Sequence, residues 1–266
     1  ANIPLRGYRF LGRVHCEFVP SAAAAPVAHA PLREAAAGLP ARLSSLVGRD
    51  VEVERLLGLL AASRLVTVAG PGGVGKTSVA ICVAARYRER PHAELCFVDL
   101  APLTSQDHVL TTMARAIGVR GGVTDIEEAI VQRLEGRAML LLLDNCEHVI
   151  ERLSPLVDRF LVALPMLQVL ATSREVLRVG GEHVFRLAPL AVQQSQPGSL
   201  AHALRSPAVQ LLVERAEAVG ASAFDDASSG PLARICRQVD GIPLAIELVA
   251  ARLGTQSASD LACRLD

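Results

Sequence analysis

Strand-like and helix-like stretches alternate through the middle of this chain, and that order predicts an α/β fold. The expected architecture is a parallel sheet covered by helices on both faces, followed by a small all-helical arm. Three observations carry it. Short apolar runs suit strands buried on both faces, at Leu65-Val66-Thr67-Val68-Ala69, at Ala138 to Leu143 and at Leu167 to Ala171. Stretches between them have helical apolar spacing. The first run also leads directly into Gly70-Pro71-Gly72-Gly73-Val74-Gly75-Lys76-Thr77, which fits G-x-x-x-x-G-K-[ST] with no mismatch.

A loop of this composition between a strand and a helix is a phosphate cradle. Its glycines let backbone N–H groups turn inward, and the helix N-terminus adds unpaired donors and positive potential. The expected nucleotide contacts run from Gly70 through Pro71, Gly72, Gly73, Val74 and Gly75 to Lys76, Thr77 and Ser78. Lys76 would reach the β and γ phosphates and Thr77 would place its hydroxyl on Mg²⁺. Downstream, Lys76 to Arg86 reads as a helix with Val79, Ile81, Val83 and Ala84 as its apolar surface.

At 266 residues and 51% hydrophobic content the chain can bury a substantial core. Basic and acidic residues both number 27, so no overall positive field draws in nucleic acid. The six cysteines show no C-x-x-C pair and read as reduced, mostly buried thiols. With no secretory signal and no apolar run of about 18 residues, the expectation is a cytoplasmic protein. The chain begins at Ala1, and both ends read as cut from a larger protein.

In order, residues Ala1 to Phe18 alternate weakly and include Arg6-Gly7-Tyr8-Arg9-Phe10, the pattern of a β-hairpin end. This resembles the last strand of the winged helix-turn-helix domain of bacterial response regulators, with Pro4-Leu5 where that family often has Arg-Gly. Prolines at 20, 26, 31 and 40 break any helix and mark a tether. Val47-Gly48-Arg49-Asp50 then opens a capped amphipathic helix. Leu95 to Leu100 is a second strand, with helices over Gln106 to Ile117 and Asp125 to Leu134.

The apolar strand Ala138 to Leu143 delivers Asp144 to the carboxyl edge of the sheet, where it would hold Mg²⁺. The next residue is Asn145, an amide that orients water but takes no proton, so hydrolysis is expected to be slow unless Glu147 serves as base. A first-turn helical charge is the plainer reading of Glu147, and His148 reads as a surface residue. The strand Leu167 to Ala171 ends in Thr172-Ser173-Arg174. Its tip should lie beside Asp144, with Thr172 or Ser173 near the attacking water and Arg174 near the γ-phosphate, or else paired with an acid. After Val184-Phe185-Arg186-Leu187 the chain loosens, then turns helical at Ala208 to Ala218, Leu232 to Val239 and Pro243 to Leu253.

Taken together, residues from about Leu46 to Leu253 resemble the STAND class of signalling P-loop ATPases, close to the NB-ARC type and to ATPase modules of large bacterial transcriptional regulators. The resemblance implies that Val47-Gly48-Arg49 lies near the adenine and that Pro243, within Gly241-Ile242-Pro243, packs on it. It also implies that Thr172-Ser173-Arg174 senses the γ-phosphate. It further implies ATP/ADP as ligand with Mg²⁺, a helical arm that closes over ADP, and nucleotide-dependent oligomerisation. DNA would then be read by an upstream domain, and a sensor or scaffold would follow downstream.

The expected layout is a winged-helix remnant at 1–19, a linker at 20–40, a nucleotide-binding domain at 41–192 and the start of a helical arm at 193–266. A small-molecule kinase would use Lys76, Thr77 and Asp144 equally well. No arginine-rich lid or acceptor pocket is evident, however. A DNA-binding module is opposed by the neutral charge.

Overall fold

The computed structural model describes residues 2–3, 7–8, 38–40, 45–91, 93–119, 124–193, 197–221 and 223–265. The chain divides into two units, Ala1–Pro31 and Leu32–Asp266. In the first, β1 (Asn2–Ile3) pairs antiparallel with β2 (Gly7–Tyr8), Ile3 opposite Gly7. The expected hairpin beyond Tyr8 and the linker before residue 38 lie outside the described residues.

In the second unit, side chains on successive strand residues point to opposite faces, so each apolar run feeds two cores at once. The strands are β3 (Leu65–Ala69), β4 (Glu94–Asp99), β5 (Met139–Asp144), β6 (Leu167–Ser173) and β7 (Glu182–Arg186). All are parallel, in the order β4-β5-β6-β3-β7. Val66, Val68, Leu140, Leu142 and Leu170 face α1 (Asp50–Ala62) and α2 (Lys76–Arg88). Leu65, Val98, Leu141, Leu143 and Val169 face the other way, toward α3 (Val109–Ile117), α4 (Ile126–Leu134) and α5 (Ile150–Ala163). Burial of each such Leu or Val contributes about 1.5–3 kcal/mol, and a sheet covered on both faces collects it twice.

The third core belongs to the helical arm, made of α6 (Leu200–Ala203), α7 (Pro207–Ala218), α8 (Ser229–Gln238), α9 (Pro243–Leu253) and α10 (Ala258–Arg264). Leu212, Leu232, Ile235 and Ile246 are fully buried within it. No helix among the described residues is long and apolar enough to cross a membrane.

Several local expectations change. Glu182–Arg186 is a fifth strand, although its residues are only half-buried or exposed, because it takes the sheet edge beside β3. Helix α1 carries no side-chain cap: Arg49 occupies the N-cap, and Asp50 and Glu52 instead offer negative charge to the first turn. The helix expected over Gln106 to Ile117 begins as a 3-10 turn at Gln106–His108. Among the described cysteines, Cys96, Cys146 and Cys236 are buried, Cys82 is half-buried and Cys263 is exposed; all are free thiols.

Candidate nucleotide site

Parallel strands end together, and here three of those ends meet the glycine-rich loop. Ala69 pairs with Ser173 and Leu143 with Ala171, so the tips of β3, β5 and β6 share one edge. The Gly70 N–H donates to the Ser173 carbonyl at 3.3 Å, which seats the start of the loop on β6. The loop then reverses into α2 through Gly75, which stands in the left-handed region at φ 95°.

Lys76 is the only lysine in the chain. Its ammonium donates to the Gly70 and Pro71 carbonyls at 2.9 and 3.0 Å and is 7% exposed. Burial pulls its pKa down; nearby Glu147 raises it, Arg174 lowers it and Asp144 raises it. The cation is thus held inside the curl of its own loop, against carbonyls six and five residues earlier in the chain.

Asp144 is the hub of the strand tips. Its Oδ1 accepts from Thr77 Oγ1 at 2.8 Å and from Thr172 Oγ1 at 2.5 Å. Burial pushes its carboxyl above the ordinary range, the Thr172 and Thr77 hydrogen bonds oppose this, and Asp99 and Glu147 push it further up. Thr172 is fully buried and also accepts the Asn145 N–H at 3.0 Å, so its hydroxyl orients the carboxylate. Ser173 is buried too, accepting the Glu175 N–H at 3.1 Å. Asn145 stands at φ 59° with its amide 3.4 Å from Asp144 Oδ2.

The donors present suit Mg²⁺. Thr77 and Asp144 offer hard oxygen ligands already in mutual contact, and no group of three or more His, Cys, Asp or Glu suited to a metal exists among the described residues. Mg²⁺ commonly takes one or two protein oxygens and completes its shell with phosphates and water.

Arg174 is 65% exposed and pairs with Glu147 at 3.2 Å. Its guanidinium lies over the loop: a Cβ on Gly72 would sit 3.3 Å from Nη2. Of the two sequence readings of Arg174, the acid partner is the one seen here, and the guanidinium stays close to the loop. His148 is exposed, its ring Nε2 2.9 Å from the Leu100 carbonyl.

A cavity of about 220 Å³ opens behind the loop. Val47 and Arg49 line it from the segment before α1, Gly75 and Ser78 from the loop and α2, and Arg215, Pro243 and Glu247 from the arm. Arg49 is 3% exposed and fully engaged, donating to the Val74 and Ala188 carbonyls at 3.2 and 2.8 Å and pairing with Glu52 at 2.9 Å. It fixes the loop's back wall. Val47 packs on the arm core, and the backbone of Gly48 lies against Pro207 at the start of α7.

Arm and loop touch directly. The Leu244 N–H donates to the Gly73 carbonyl at 3.1 Å, and a Cβ on Gly73, at φ 75°, would stand 2.8 Å from Leu244 Cβ. Gly241, at φ 66°, passes so close to the chain leaving the sheet that a Cβ would lie 2.3 Å from the Leu190 carbonyl oxygen. Arg215 and Glu247, paired at 3.0 Å across α7 and α9, were not legible in the sequence, since only packing of the two helices brings them together.

A parallel sheet in this order, with a complete phosphate-loop sequence after β3 and an aspartate at the tip of β5, defines the fold of the P-loop nucleoside triphosphatases. Residues 61–180 match the family described as AAA domain. Over 210 residues, 78% of this chain, the sequence is 40% identical to a Mycobacterium tuberculosis H37Rv protein named "Putative HTH-type transcriptional regulator", of which the match covers 22%. It is 32% identical over 253 residues to "Regulatory protein AfsR" of Streptomyces griseus, covering 86% of this chain and 23% of that one. The chain thus spans less than a quarter of these two relatives. Among solved structures, a STAND protein with a tetratricopeptide repeat sensor from Pyrococcus horikoshii superposes with a TM-score of 0.51 at 19% identity, over 79% of this chain and 30% of that one, a likeness of fold. Residues 61–180 thus match an AAA-type P-loop domain, within a stretch similar to part of transcriptional regulators.

Proposed function

We propose that this module is an ATP/ADP-dependent signalling switch of a transcriptional regulator, reset by slow Mg²⁺-dependent hydrolysis. The observation that supports it best is the Leu244 N–H to Gly73 carbonyl hydrogen bond, which ties the arm to the loop expected to hold phosphate. With Pro243 and Glu247 also lining the cavity behind that loop, one nucleotide would touch both bodies at once. A ligand that contacts two bodies shifts their equilibrium by its differential affinity for each arrangement.

In this reading Gly70 to Ser78 cradle the phosphates, Lys76 meets the β and γ oxygens, and Arg174 meets the γ-phosphate. Val47, Gly48 and Pro243 flank the base, with Arg49 as the rigid wall behind it. Thr77 and Asp144 would hold Mg²⁺, which neutralises charge on the phosphate oxygens when bound. Asn145, lacking a proton-accepting group, suits a timer better than a metabolic catalyst. The regulator relatives suggest DNA contact through another domain, with a nucleotide-dependent oligomer as output, inside the cell.

The test is the nucleotide retained by the purified chain, together with its ATP turnover. The expected result is bound ADP, lost in Lys76→Ala, and turnover below about one per minute, far under the usual enzyme range. Because Lys76 is the chain's sole lysine, acylation of an ε-amine reads its occupancy site-specifically by mass spectrometry. ADP and ATP are each expected to protect it. Brisk turnover without retained nucleotide, or acceleration by a small acceptor, would replace the switch with a phosphotransferase.

A further inference from the structure

Glu147 and Arg174 bridge neighbouring strand tips. Glu147 comes from the one-turn helix after β5 and Arg174 from the end of β6, and their ion pair spans the edge where the phosphate loop lies. Three features separate this pair from an ordinary surface salt bridge.

Glu147 Oε1 faces Arg174 Nε at 3.2 Å, while Oε2 is buried with no hydrogen-bond partner. A buried carboxylate oxygen left unpaired is costly, and it keeps one open acceptor beside the loop. Arg174, by contrast, is two-thirds exposed, with its Nη2 the part nearest Gly72. Both charges also act on Lys76, where the Glu147 carboxylate raises the pKa of the ammonium and the Arg174 guanidinium lowers it. Carboxylate and guanidinium are therefore paired beside the loop, near enough to the ammonium for both charges to act on it.

We propose that Glu147 is a catalytic residue for ATP hydrolysis and that Arg174 keeps it latched until a γ-phosphate draws the guanidinium away. This rests on the nucleotide-switch reading above. A phosphate offers the planar guanidinium several charged oxygens and competes with the single Oε1 contact. Once released, Glu147 accepts a hydrogen bond from the attacking water. The water oxygen bonds to the γ-phosphorus as the bond from that phosphorus to the β–γ bridging oxygen breaks. The electron pair of that bond leaves with ADP, and the water's proton passes to Glu147 and then to solvent. Asn145 cannot take that proton, and its amide faces Asp144. With ADP no γ-phosphate competes, so the base becomes available only when there is something to hydrolyse.

The experiment compares ADP, ATP and a non-hydrolysable ATP analogue on the whole chain. Glu147→Gln preserves shape and removes the charge. Its single-turnover hydrolysis is expected to fall about 10²-fold or more. Its affinity for the analogue relative to ADP is expected to rise, up to about fivefold, as Arg174 is freed from a partly exposed pair. Arg174→Ala is expected to weaken the analogue while leaving ADP within about twofold.

A folded Glu147→Gln with wild-type turnover, or with an unchanged ATP-to-ADP preference, overturns the latch. Should that variant not fold, Glu147→Asp decides: reduced turnover supports the latch and wild-type turnover overturns it. Lys76→Ala separates the two readings. If it binds nucleotide like the wild type, the nucleotide site itself is wrong. If it loses binding while the Glu147 variants change nothing, only the latch is wrong.

Discussion

The two ends of the candidate nucleotide site are built in opposite ways. The end proposed to hold phosphate is a run of consecutive residues, Gly70 to Thr77, braced by strand tips whose hydrogen bonds lie within one sheet. The other end is assembled from remote parts of the chain: Val47 and Arg49 before α1, Ser78 on α2, and Arg215, Pro243 and Glu247 on the arm. A contiguous loop keeps its course along the sheet edge wherever the arm goes, apart from the one carbonyl the arm holds at Gly73, whereas an assembled wall exists only while the arm is docked. Affinity for phosphate should therefore belong mainly to the sheet and affinity for the rest of the nucleotide be conditional on the arm.

That contrast breaks most visibly at Lys76. Lys76→Ala is expected to cut nucleotide affinity about 10²-fold by calorimetry, since charge-assisted hydrogen bonds contribute about 1.5–3 kcal/mol, with the melting temperature little changed. If affinity survives, the phosphate end is not where binding resides. Next comes Gly241→Ala, which meets both a positive φ and the Leu190 carbonyl and should cost about 1–3 kcal/mol in thermal denaturation. The loss should fall on the arm. A melting temperature equal to wild type would show that the turn yields more readily than its geometry implies.

Gly73→Ala probes the contact between the two ends. Its Cβ would press on Leu244 Cβ, so ADP affinity is expected to drop about tenfold through partial undocking, equivalent to about 1.4 kcal/mol. An equal loss for inorganic triphosphate, which has no base, would instead put the damage in the loop.

The mildest test uses the thiols. Burial pushes Cys96 and Cys236 up to about 12 and drives Cys146 up as well, so these three stay protonated at pH 8 while exposed Cys263 alkylates first. In rising urea, Cys236 in the arm core is expected to label before Cys146 beneath the phosphate end, followed by peptide mass spectrometry. Simultaneous labelling would mean that the two regions unfold as one.

Legibility in the sequence divides along the same line. The strand runs of β3, β5 and β6 were readable because both faces of each are buried, and the loop because its chemistry demands consecutive residues. The edge strand β7 lacked an apolar signature, since one side of an edge faces solvent. The short helices α6 and α10 are too brief for a period to emerge. Asp144 was expected from its strand end, but its bond from Thr172 depends on the β5–β6 register, which no local pattern records. The clasp of Arg49 on Val74 and Ala188 likewise joins segments far apart in the chain.

The peptide linking Gly73 to Val74 is one rigid plane whose carbonyl and N–H point in opposite directions. Its carbonyl is claimed by Leu244. While that bond holds, the Val74 N–H is aimed away from the arm, and a departing arm leaves the plane free to turn. A single peptide thus acts as a vane, converting the position of a whole helical body into the direction of one backbone donor.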